Sequence, residues 1–200
     1  IYWMPLTWAS HALDYQLFGQ NPQGHHMTSI LIHSINAVLV FLFFGVLLSR
    51  KGYFKEIKEP FNRIEAVTIT LSFLVTMLWS LHPMRVESVA WIAERKDVLS
   101  LFFILLTFIY YIKSKKFKEN NKEKRYIKKL TIMWFVCACA SKPIAVVVPV
   151  IFIIIDWLLA KKVEFKELKY KSLFFIISVI VALCTMVGQS QTDSFITTKT

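Results

Sequence analysis

Charged residues are scarce in this sequence. Asp, Glu, Lys and Arg make up 18% of its 200 residues, whereas a typical soluble domain carries about 25%. Hydrophobic residues make up 56% of the chain, and the mean hydropathy is +0.51. This composition excludes intrinsic disorder and exceeds what one soluble core can bury. It therefore favours a membrane protein.

Negative charge is scarcer than positive charge. The chain has 13 Asp and Glu against 24 Lys and Arg, which gives a net charge of +11. A basic excess is one sign of nucleic-acid binding, but at this hydropathy a membrane is the better explanation. We therefore expect no nucleic-acid partner. Glycine is also rare, with five residues, and no glycine-rich phosphate loop or internal repeat is present.

Cysteine is almost absent. Cys137, Cys139 and Cys184 all lie in apolar runs. Zinc sites need paired cysteine or histidine spacings in polar loops. The adjacent His25 and His26 point to different helix faces. We therefore expect no disulfide, no metal and no cofactor.

Long uncharged runs predict how often the chain crosses a bilayer. A hydrocarbon core about 30 Å thick needs roughly 20 helical residues. The runs predict an all-α, polytopic membrane bundle. Its six transmembrane helices are predicted at residues 27–49, 66–81, 89–112, 125–140, 144–160 and 172–187. Residues 1–26 are then an extracytoplasmic interfacial helix and loop, and residues 188–200 begin an extracytoplasmic segment.

The stretch 130–160 allows two interpretations, because Lys142-Pro143 and Asp156 interrupt it. It is either one long helix or two spans that turn at Pro143, which removes a backbone donor and disfavours helix at Lys142. Cytoplasmic loops collect Lys and Arg. Two spans place 19 of the 24 basic residues on one side, whereas one span places 15 there against 8. The charge count therefore favours six spans, with both chain ends outside the cytoplasm.

Residues 5–18 have the pattern of an amphipathic helix on the outer surface. Pro5 suits a first helical turn, and tryptophan and tyrosine, here Trp3, Trp8 and Tyr15, favour the membrane interface. The two stripes of this helix contain Leu6, Leu13 and Leu17 on one side and Thr7, His11 and Asp14 on the other. His11 and Asp14 are spaced to pair, either for chemistry or only to hold the structure.

The predicted topology places nearly all histidines on the outer side, together with a set of charges. The densest part is 81–100, where His82-Pro83 ends the second span and a short interfacial helix leads into the third. The residues that recur there at helical spacing are Glu87, Trp91, Glu94 and Arg95. Charges at this depth are costly unless they are paired or functional. The charges at 94–97 are equally explained by pairing among themselves.

Each candidate residue is assigned by its chemistry. Arginine and lysine bind phosphate strongly, and the candidates for the phosphate of an anionic lipid are Arg95, Lys142, Arg85 and Lys96. Carboxylates and imidazoles move protons, and the catalytic candidates are Asp14, His82 and Glu87. The other polar groups expected on the substrate side are His11, His25, His26 and Asp97.

The remaining polar residues have structural interpretations. Asn36 and His33 are expected to hydrogen-bond between helices. Asp156 is expected to lie at the inner end of the fifth span, facing the lysines at 161–162. The basic linker 113–129 serves as a cytoplasmic orientation signal, or contacts anionic lipid.

Four segments occur in an order that is typical of one enzyme group. They are YWMPLTWASHALDYQLFG, NPQGHHMTSILIHSINAVLVF, LHPMRVESVAWIAERKDVLS and CASKPIAVVVPVIFIIIDW. With these segments the chain resembles the bacterial relatives of the transmembrane and tetratricopeptide-repeat O-mannosyltransferases, members of the GT-C glycosyltransferase superfamily. The resemblance extends over nearly the whole chain.

The resemblance implies a GT-C-like protein of the bacterial inner membrane with its active face outside the cytoplasm. Such enzymes move a sugar, typically mannose, from a polyprenyl-phosphate donor to an acceptor hydroxyl, often of protein Ser or Thr. Membrane lipid, the lipid-linked donor and a protein or glycan acceptor are the partners implied. The residues that match are His25, His26, His82, Glu87, Arg95, Asp97 and Lys142. Pro143 stands where animal relatives usually have Glu, so an acidic role there is not carried over.

The resemblance also implies that the catalytic base lies upstream of Ile1 and that tetratricopeptide repeats follow Thr200. The chain, which begins without a signal-peptide pattern, is therefore expected to be a fragment that is inactive alone. Arg95 and Lys142 are the first candidates to stabilise the leaving phosphate. Two alternatives stay open, a transporter or flippase-like carrier of a lipid-linked or anionic substrate and a non-catalytic scaffold. Transporters place ionisable groups near the midplane, whereas here they gather at the outer boundary.

Overall fold

A computed structural model describes residues 3–50, 61–115, 117, 121–160 and 168–197. Within these ranges the chain is helical apart from short turns, and it contains no strand, which confirms the all-α prediction there. The helices are α1 Pro5–Phe18, α2 Pro22–Arg50, α3 Phe61–Ser80, α4 Met84–Ala90, α5 Arg95–Ser114, α6 Lys122–Ser141, α7 Val148–Ala160 and α8 Leu168–Thr197. Two 3₁₀ segments, Ile92–Glu94 and Pro143–Val147, precede α5 and α7.

Four stretches are long and apolar enough to cross a bilayer, judged by length and composition. They are Pro22–Ser49, Arg63–Ser80, Ile92–Ser114 and Tyr170–Gly188. The other two predicted spans fall short for different reasons. The first two turns of α6 are rich in lysine and arginine, and the apolar stretch Pro143–Leu159 is shorter. Six crossings therefore stay a prediction.

The helix bounds differ from the predicted spans at several places, and α3 begins at Phe61 rather than at residue 66. α2 begins at Pro22, so His25 and His26 lie on a helix rather than in a loop. The third predicted span does not begin at Val89, because Trp91 has an extended backbone (φ −84°, ψ 117°) and α5 begins only at Arg95. α8 continues to Thr197, beyond the predicted end at residue 187.

The chain leaves the helix where Pro143 predicted a break. α6 ends at Ser141, and Lys142 is extended with φ −153° and ψ 129°. Pro143 then begins a 3₁₀ turn, where its fixed φ is compatible with the geometry and its missing N–H costs no helical hydrogen bond. The turn separates α6 from α7.

The main core lies between α5, α6, α7 and α8. Phe152 of α7 has no exposed surface, and its ring stacks on Tyr111 with centroids 4.0 Å apart. Phe174 of α8 meets Phe152 edge-on at 5.0 Å, and Phe135 of α6 lies 5.2 Å from Phe174. Aromatic pairs of this kind contribute about 0.5–1.5 kcal/mol each beyond the area they bury. This cluster holds the last three helices together.

The distribution of polarity is inverted on α3. Thr68, Ser72 and Thr76 are buried, whereas Phe73 and Leu74 are half exposed. The Ser72 hydroxyl donates to the Thr68 carbonyl at 2.8 Å, and the Thr76 hydroxyl donates to the Ser72 carbonyl at 2.7 Å. Small polar residues inside and large apolar residues outside are typical of helices that pack within lipid.

The two ends of the bundle carry different chemistry. We define the histidine end by α1, the first turns of α2 and α5, the last turn of α6 with Lys142, and α4 with the preceding His82. Side chains of Asp14 and Thr7 join α1 to α2, α5 and α6 there. We define the lysine end by the ends of α5 and α7 and the beginnings of α6 and α8. The ends of α5 and α7 and the beginning of α8 meet at Asp156.

Asp156 is buried at the lysine end, with 3% of its surface exposed. It accepts a hydrogen bond from the Tyr111 hydroxyl at 2.9 Å and forms ion pairs with Lys115, at 3.3 Å, and with Lys171. The lysines at 161–162, which the sequence favoured as its partners, lie outside the described residues. The observed partners come from α5 and α8, so Asp156 joins three helices.

Candidate functional site at the histidine end

Helix α1 presents its polar stripe to the bundle. Thr7 and Asp14 are buried, whereas Leu13 and Leu17 are 56% and 66% exposed. The Thr7 hydroxyl donates to the carbonyl of Ser141 at 2.8 Å, which joins α1 to the end of α6. The apolar stripe of α1 therefore faces outward, as expected for a helix at a membrane interface.

Arg95 is the centre of the polar contacts at this end, and none of its surface is exposed. Its guanidinium forms an ion pair with Asp14 and donates from Nη2 to the His25 carbonyl at 2.6 Å. It also donates from Nε to the Ser29 hydroxyl at 3.3 Å and from Nη1 to the Ser10 hydroxyl at 3.5 Å. A guanidinium with five donors suits this arrangement, because it can donate to several acceptors at once.

Asp14 receives two further partners. Thr28 donates its hydroxyl to Oδ1 at 3.1 Å, and Nδ1 of His25 lies 3.5 Å from Oδ2. Nε2 of His25 lies 3.0 Å from the carbonyl of Gly19, to which it donates because a carbonyl only accepts. The carboxylate is therefore enclosed by α1, α2 and α5.

His11 does not form the ion pair with Asp14 that its spacing suggested. Among the described residues Asp14 pairs with Arg95 and His25 instead. His11 is partly buried, and burial, followed by the nearby Arg95 charge, lowers its pKa below the ordinary value of 6.5. The neutral imidazole is therefore favoured next to the Arg95 network.

Two partly exposed ion pairs flank the buried network. Lys142 pairs with Asp97, and Lys96 donates to Glu94 at 2.9 Å. The side chains of the first pair are about 30% exposed and those of the second 24%. Together with Met4, Ile144 and Thr185, three of these residues line a cavity of about 350 Å³. The charges at 94–97 therefore pair in two ways, internally for Glu94 and Lys96 and with distant residues for Arg95 and Asp97.

A second cavity lies between α2, the end of α3 and α4. We call it the α2–α4 groove, and its volume is about 470 Å³. Its lining includes His26, Ile30, His33, Leu81, His82, Arg85 and Val86. Arg85 lies 5.3 Å above the Trp79 ring, and the His33 ring is 5.3 Å from the same ring.

The catalytic candidates differ in how exposed their side chains are. Asp14 is buried, whereas His82 and Glu87 are exposed. Nδ1 of His82 accepts the backbone N–H of Met84 at 3.2 Å, so in the neutral ring Nε2 carries the proton. Glu87 lies in the first turn of α4. Its expected shared face with Arg95 does not form, because the helix is interrupted at Trp91.

The two polar side chains within α2 join helices as predicted. Asn36 donates from Nδ2 to the Val98 carbonyl at 2.8 Å, and His33 lies 3.3 Å from the Ser80 carbonyl through Nε2. Within the described ranges no group of three or more His, Cys, Asp or Glu side chains could hold a metal ion.

Sequence reasoning missed the small hydroxyl residues of the buried network. Ser10, Thr28 and Ser29 contact Arg95 or Asp14. Each lies one turn from a polar residue on its own helix, but nothing in that spacing identifies a partner on another helix. Among the candidates, the structure brings Asp14, His25 and Arg95 together, and separately Asp97 and Lys142.

Comparison with known proteins relates this chain to named enzymes. It is 35% identical over 120 residues to protein O-mannosyl-transferase TMTC4 of Homo sapiens. The chain is homologous to the protein O-mannosyl-transferases. It is also 29% identical over 109 residues to human protein O-mannosyl-transferase TMTC2 and 27% identical over 113 residues to Drosophila melanogaster protein O-mannosyl-transferase Tmtc3.

The similarity to these protein O-mannosyl-transferases covers 60%, 54% and 55% of the chain, respectively. The matches span only 15%, 11% and 12% of the relatives' own lengths. No protein-family model matches the chain, and no solved structure matches it. The bacterial and GT-C placement therefore stays an expectation.

Proposed function

We propose that this chain acts in an integral membrane glycosyltransferase. The enzyme would move a sugar, with mannose as the first candidate, from a polyprenyl-phosphate donor to an acceptor hydroxyl, with protein Ser or Thr as the first candidate. The similarity to protein O-mannosyl-transferases carries the proposal. The four apolar helices support membrane insertion. A bacterial inner membrane remains part of the proposal.

We place the reaction at the histidine end and assign this end to the extracytoplasmic side. The basic loops, which the positive-inside rule keeps in the cytoplasm, lie at the opposite ends of the predicted spans. The histidine end gathers the carboxylates and cations that a transfer reaction needs. At the lysine end, Asp156 is buried among the ends of three helices.

The proposed reaction is a single displacement. The acceptor oxygen attacks the anomeric carbon and forms the new glycosidic bond. The bond from that carbon to the phosphate oxygen breaks, and the polyprenyl phosphate leaves with the electron pair. A carboxylate takes the hydroxyl proton, and cations stabilise the charge that develops on the phosphate.

The structure narrows the roles that we propose for the candidates. Arg95 and Asp14 form a buried ion pair with each other. We therefore propose that both position α1, α2 and α5. Glu87 is the accessible carboxylate on α4, and His82 carries its proton on Nε2 as a donor.

The test is transfer of radiolabelled mannose from polyprenyl-phosphate mannose by the full-length protein in membranes. One variant removes two cations of the histidine end, Arg85→Ala with Lys142→Ala. The matched control removes two exposed cations of the lysine end, Lys122→Ala with Lys129→Ala. We expect transfer to fall roughly 10- to 100-fold in the first variant and to stay within about twofold in the control.

Two results would contradict the proposal. One is the absence of transfer by the unmodified protein from any polyprenyl-phosphate sugar while the donor is bound. The other is an equal loss in both double variants, which would mean that the histidine end has no special part in the reaction.

A further inference from the structure

The cations of the histidine end differ in whether a carboxylate neutralises them. Arg95 pairs with Asp14, Lys142 with Asp97 and Lys96 with Glu94. Arg85 is the exception. Among the described residues it has no carboxylate partner, and its recorded contact is the face of the Trp79 ring.

The described wall of the groove beside Arg85 carries no negative side chain, although Glu87 lies two residues further along α4. The described lining of the α2–α4 groove contains three histidines and Arg85 as its ionisable groups, and no aspartate or glutamate. His33 is held by the Ser80 carbonyl, and the His82 ring offers Nε2–H as a donor because Nδ1 accepts from the backbone. Donors without an opposing carboxylate favour an anionic ligand.

Apart from Ser80, the rest of the groove lining is apolar, and several of its side chains are exposed. Ile30, Leu81 and Val86 line it and are 51%, 77% and 65% exposed. On a helix bundle with this composition, such exposed side chains face acyl or isoprenoid chains rather than water. The groove thus combines an uncompensated cation with a wall that suits a hydrocarbon chain.

We infer that the α2–α4 groove binds the phosphate of the polyprenyl carrier, with the phosphate at Arg85 and the isoprenoid chain along Ile30 and Val86. The identity of the lipid depends on the proposed function, whereas the position of the phosphate does not. A phosphate at Lys142 or Lys96 would have to compete with a carboxylate already in place. At Arg85 it adds the missing negative charge.

The experiment measures lipid binding rather than transfer. Full-length protein in nanodiscs of neutral phosphatidylcholine is titrated with polyprenyl monophosphate, and binding is followed by native mass spectrometry. We expect Arg85→Ala to weaken binding roughly 10- to 100-fold and Arg85→Lys to restore part of it. The matched controls Lys122→Ala and Lys129→Ala, which remove exposed cations of the lysine end, should stay within about twofold.

A second variant keeps the test informative if Arg85→Ala does not fold. Ile30→Trp fills the apolar wall, leaves the charges unchanged and should also weaken binding. Competition then identifies the ligand. Polyprenol without phosphate and inorganic phosphate should each compete poorly, because each supplies only half of the proposed contacts.

Three results would overturn the inference. They are unchanged binding in Arg85→Ala and Ile30→Trp, an equal loss of binding in the lysine-end controls, or competition by phosphatidylglycerol as strong as that by polyprenyl phosphate. The last would make the groove a site for ordinary anionic lipid. Retained Arg85-dependent binding without sugar transfer would instead support the groove and reject the proposed function.

Discussion

Two buried aspartates at opposite ends of the molecule are neutralised in different ways. Asp14 and Asp156 are each 3% exposed. Asp14 pairs with one arginine, which also donates to side chains and a carbonyl of α1 and α2. Asp156 receives two lysines and a tyrosine hydroxyl. One guanidinium nitrogen and the Thr28 hydroxyl serve the first carboxylate, whereas two ammonium groups and a phenol serve the second.

The two sets of donors differ in how precisely they fix the helices around each aspartate. A guanidinium binds in one plane with fixed angles, whereas an ammonium is a point charge on a flexible stem. Arg95 therefore fixes α1 and α2 relative to α5 in one arrangement. The lysines at Asp156 tolerate small shifts of α7 and α8. Precise placement is needed where we propose the chemistry, at the histidine end.

Replacing Arg95 should lower the stability of the protein more than any other substitution at either end. Arg95→Ala leaves the Asp14 carboxylate buried without its main partner, which costs about 3–5 kcal/mol. In a chain of this size this corresponds to a fall in Tm of roughly 10 °C. Thermal unfolding in detergent measures it.

The control for Arg95 is its neighbour Lys96, whose ion pair is partly exposed. Lys96→Ala should cost less than about 1 kcal/mol. Adding Asp14→Asn to Arg95→Ala should recover part of the loss, because the unpaired charge is then gone. Equal effects of Arg95→Ala and Lys96→Ala would show that the buried network does not hold this end together.

Removing Asp156 should have a smaller effect. Asp156→Asn leaves Lys115 and Lys171 without the carboxylate, but the amide still accepts from Tyr111, and the partly exposed Lys115 can extend toward water. We expect a loss of about 1–3 kcal/mol, measured in the same unfolding assay. The exposed lysine-end carboxylate gives the control, Glu123→Gln, with little change. A loss larger than that of Arg95→Ala would reverse the proposed order of rigidity.

The smallest effect concerns pH and belongs to the histidine end alone. Burial and Arg95 lower the pKa of His11 in the folded protein, so on unfolding His11 returns to its ordinary value of 6.5. As the pH falls below 6.5, the unfolded chain takes up the proton first, and stability falls. His11→Gln should therefore lose less Tm between pH 8 and pH 5.5 than the unmodified protein. A larger loss in the variant would mean that the folded state favours protonated His11.

Features within one segment could be predicted from the sequence. Uncharged runs indicated the apolar helices, Pro143 indicated the end of α6, and the polar Asn36 and His33 indicated contacts between helices. Each inference depends on local composition, because a bilayer sets the length of a helix and proline removes a donor whatever the fold. For these features the local sequence is sufficient to determine the structure.

Features that join distant segments could not be predicted. The break at Trp91 has no proline or glycine near it in 84–100, so it comes from packing rather than from a local preference. The pairing of Asp14 with Arg95, and of Asp97 with Lys142, depends on which helices become neighbours. Sequence reasoning grouped Arg95 with Lys142 as phosphate ligands because both are cations. The structure distinguishes them, because Arg95 is fully buried and the Lys142 side chain is 30% exposed.

The outward leucine stripe of α1 has a consequence for how the chain is made. The partners of its polar stripe lie 85 residues later for Ser10 with Arg95 and 134 residues later for Thr7 with Ser141. At a synthesis rate of about 5–20 residues per second, these partners are synthesised roughly 4 to 27 s after α1. During that interval its leucines, rather than Arg95, hold it at the membrane surface. The polar stripe closes over the bundle only after α5 and α6 have been inserted.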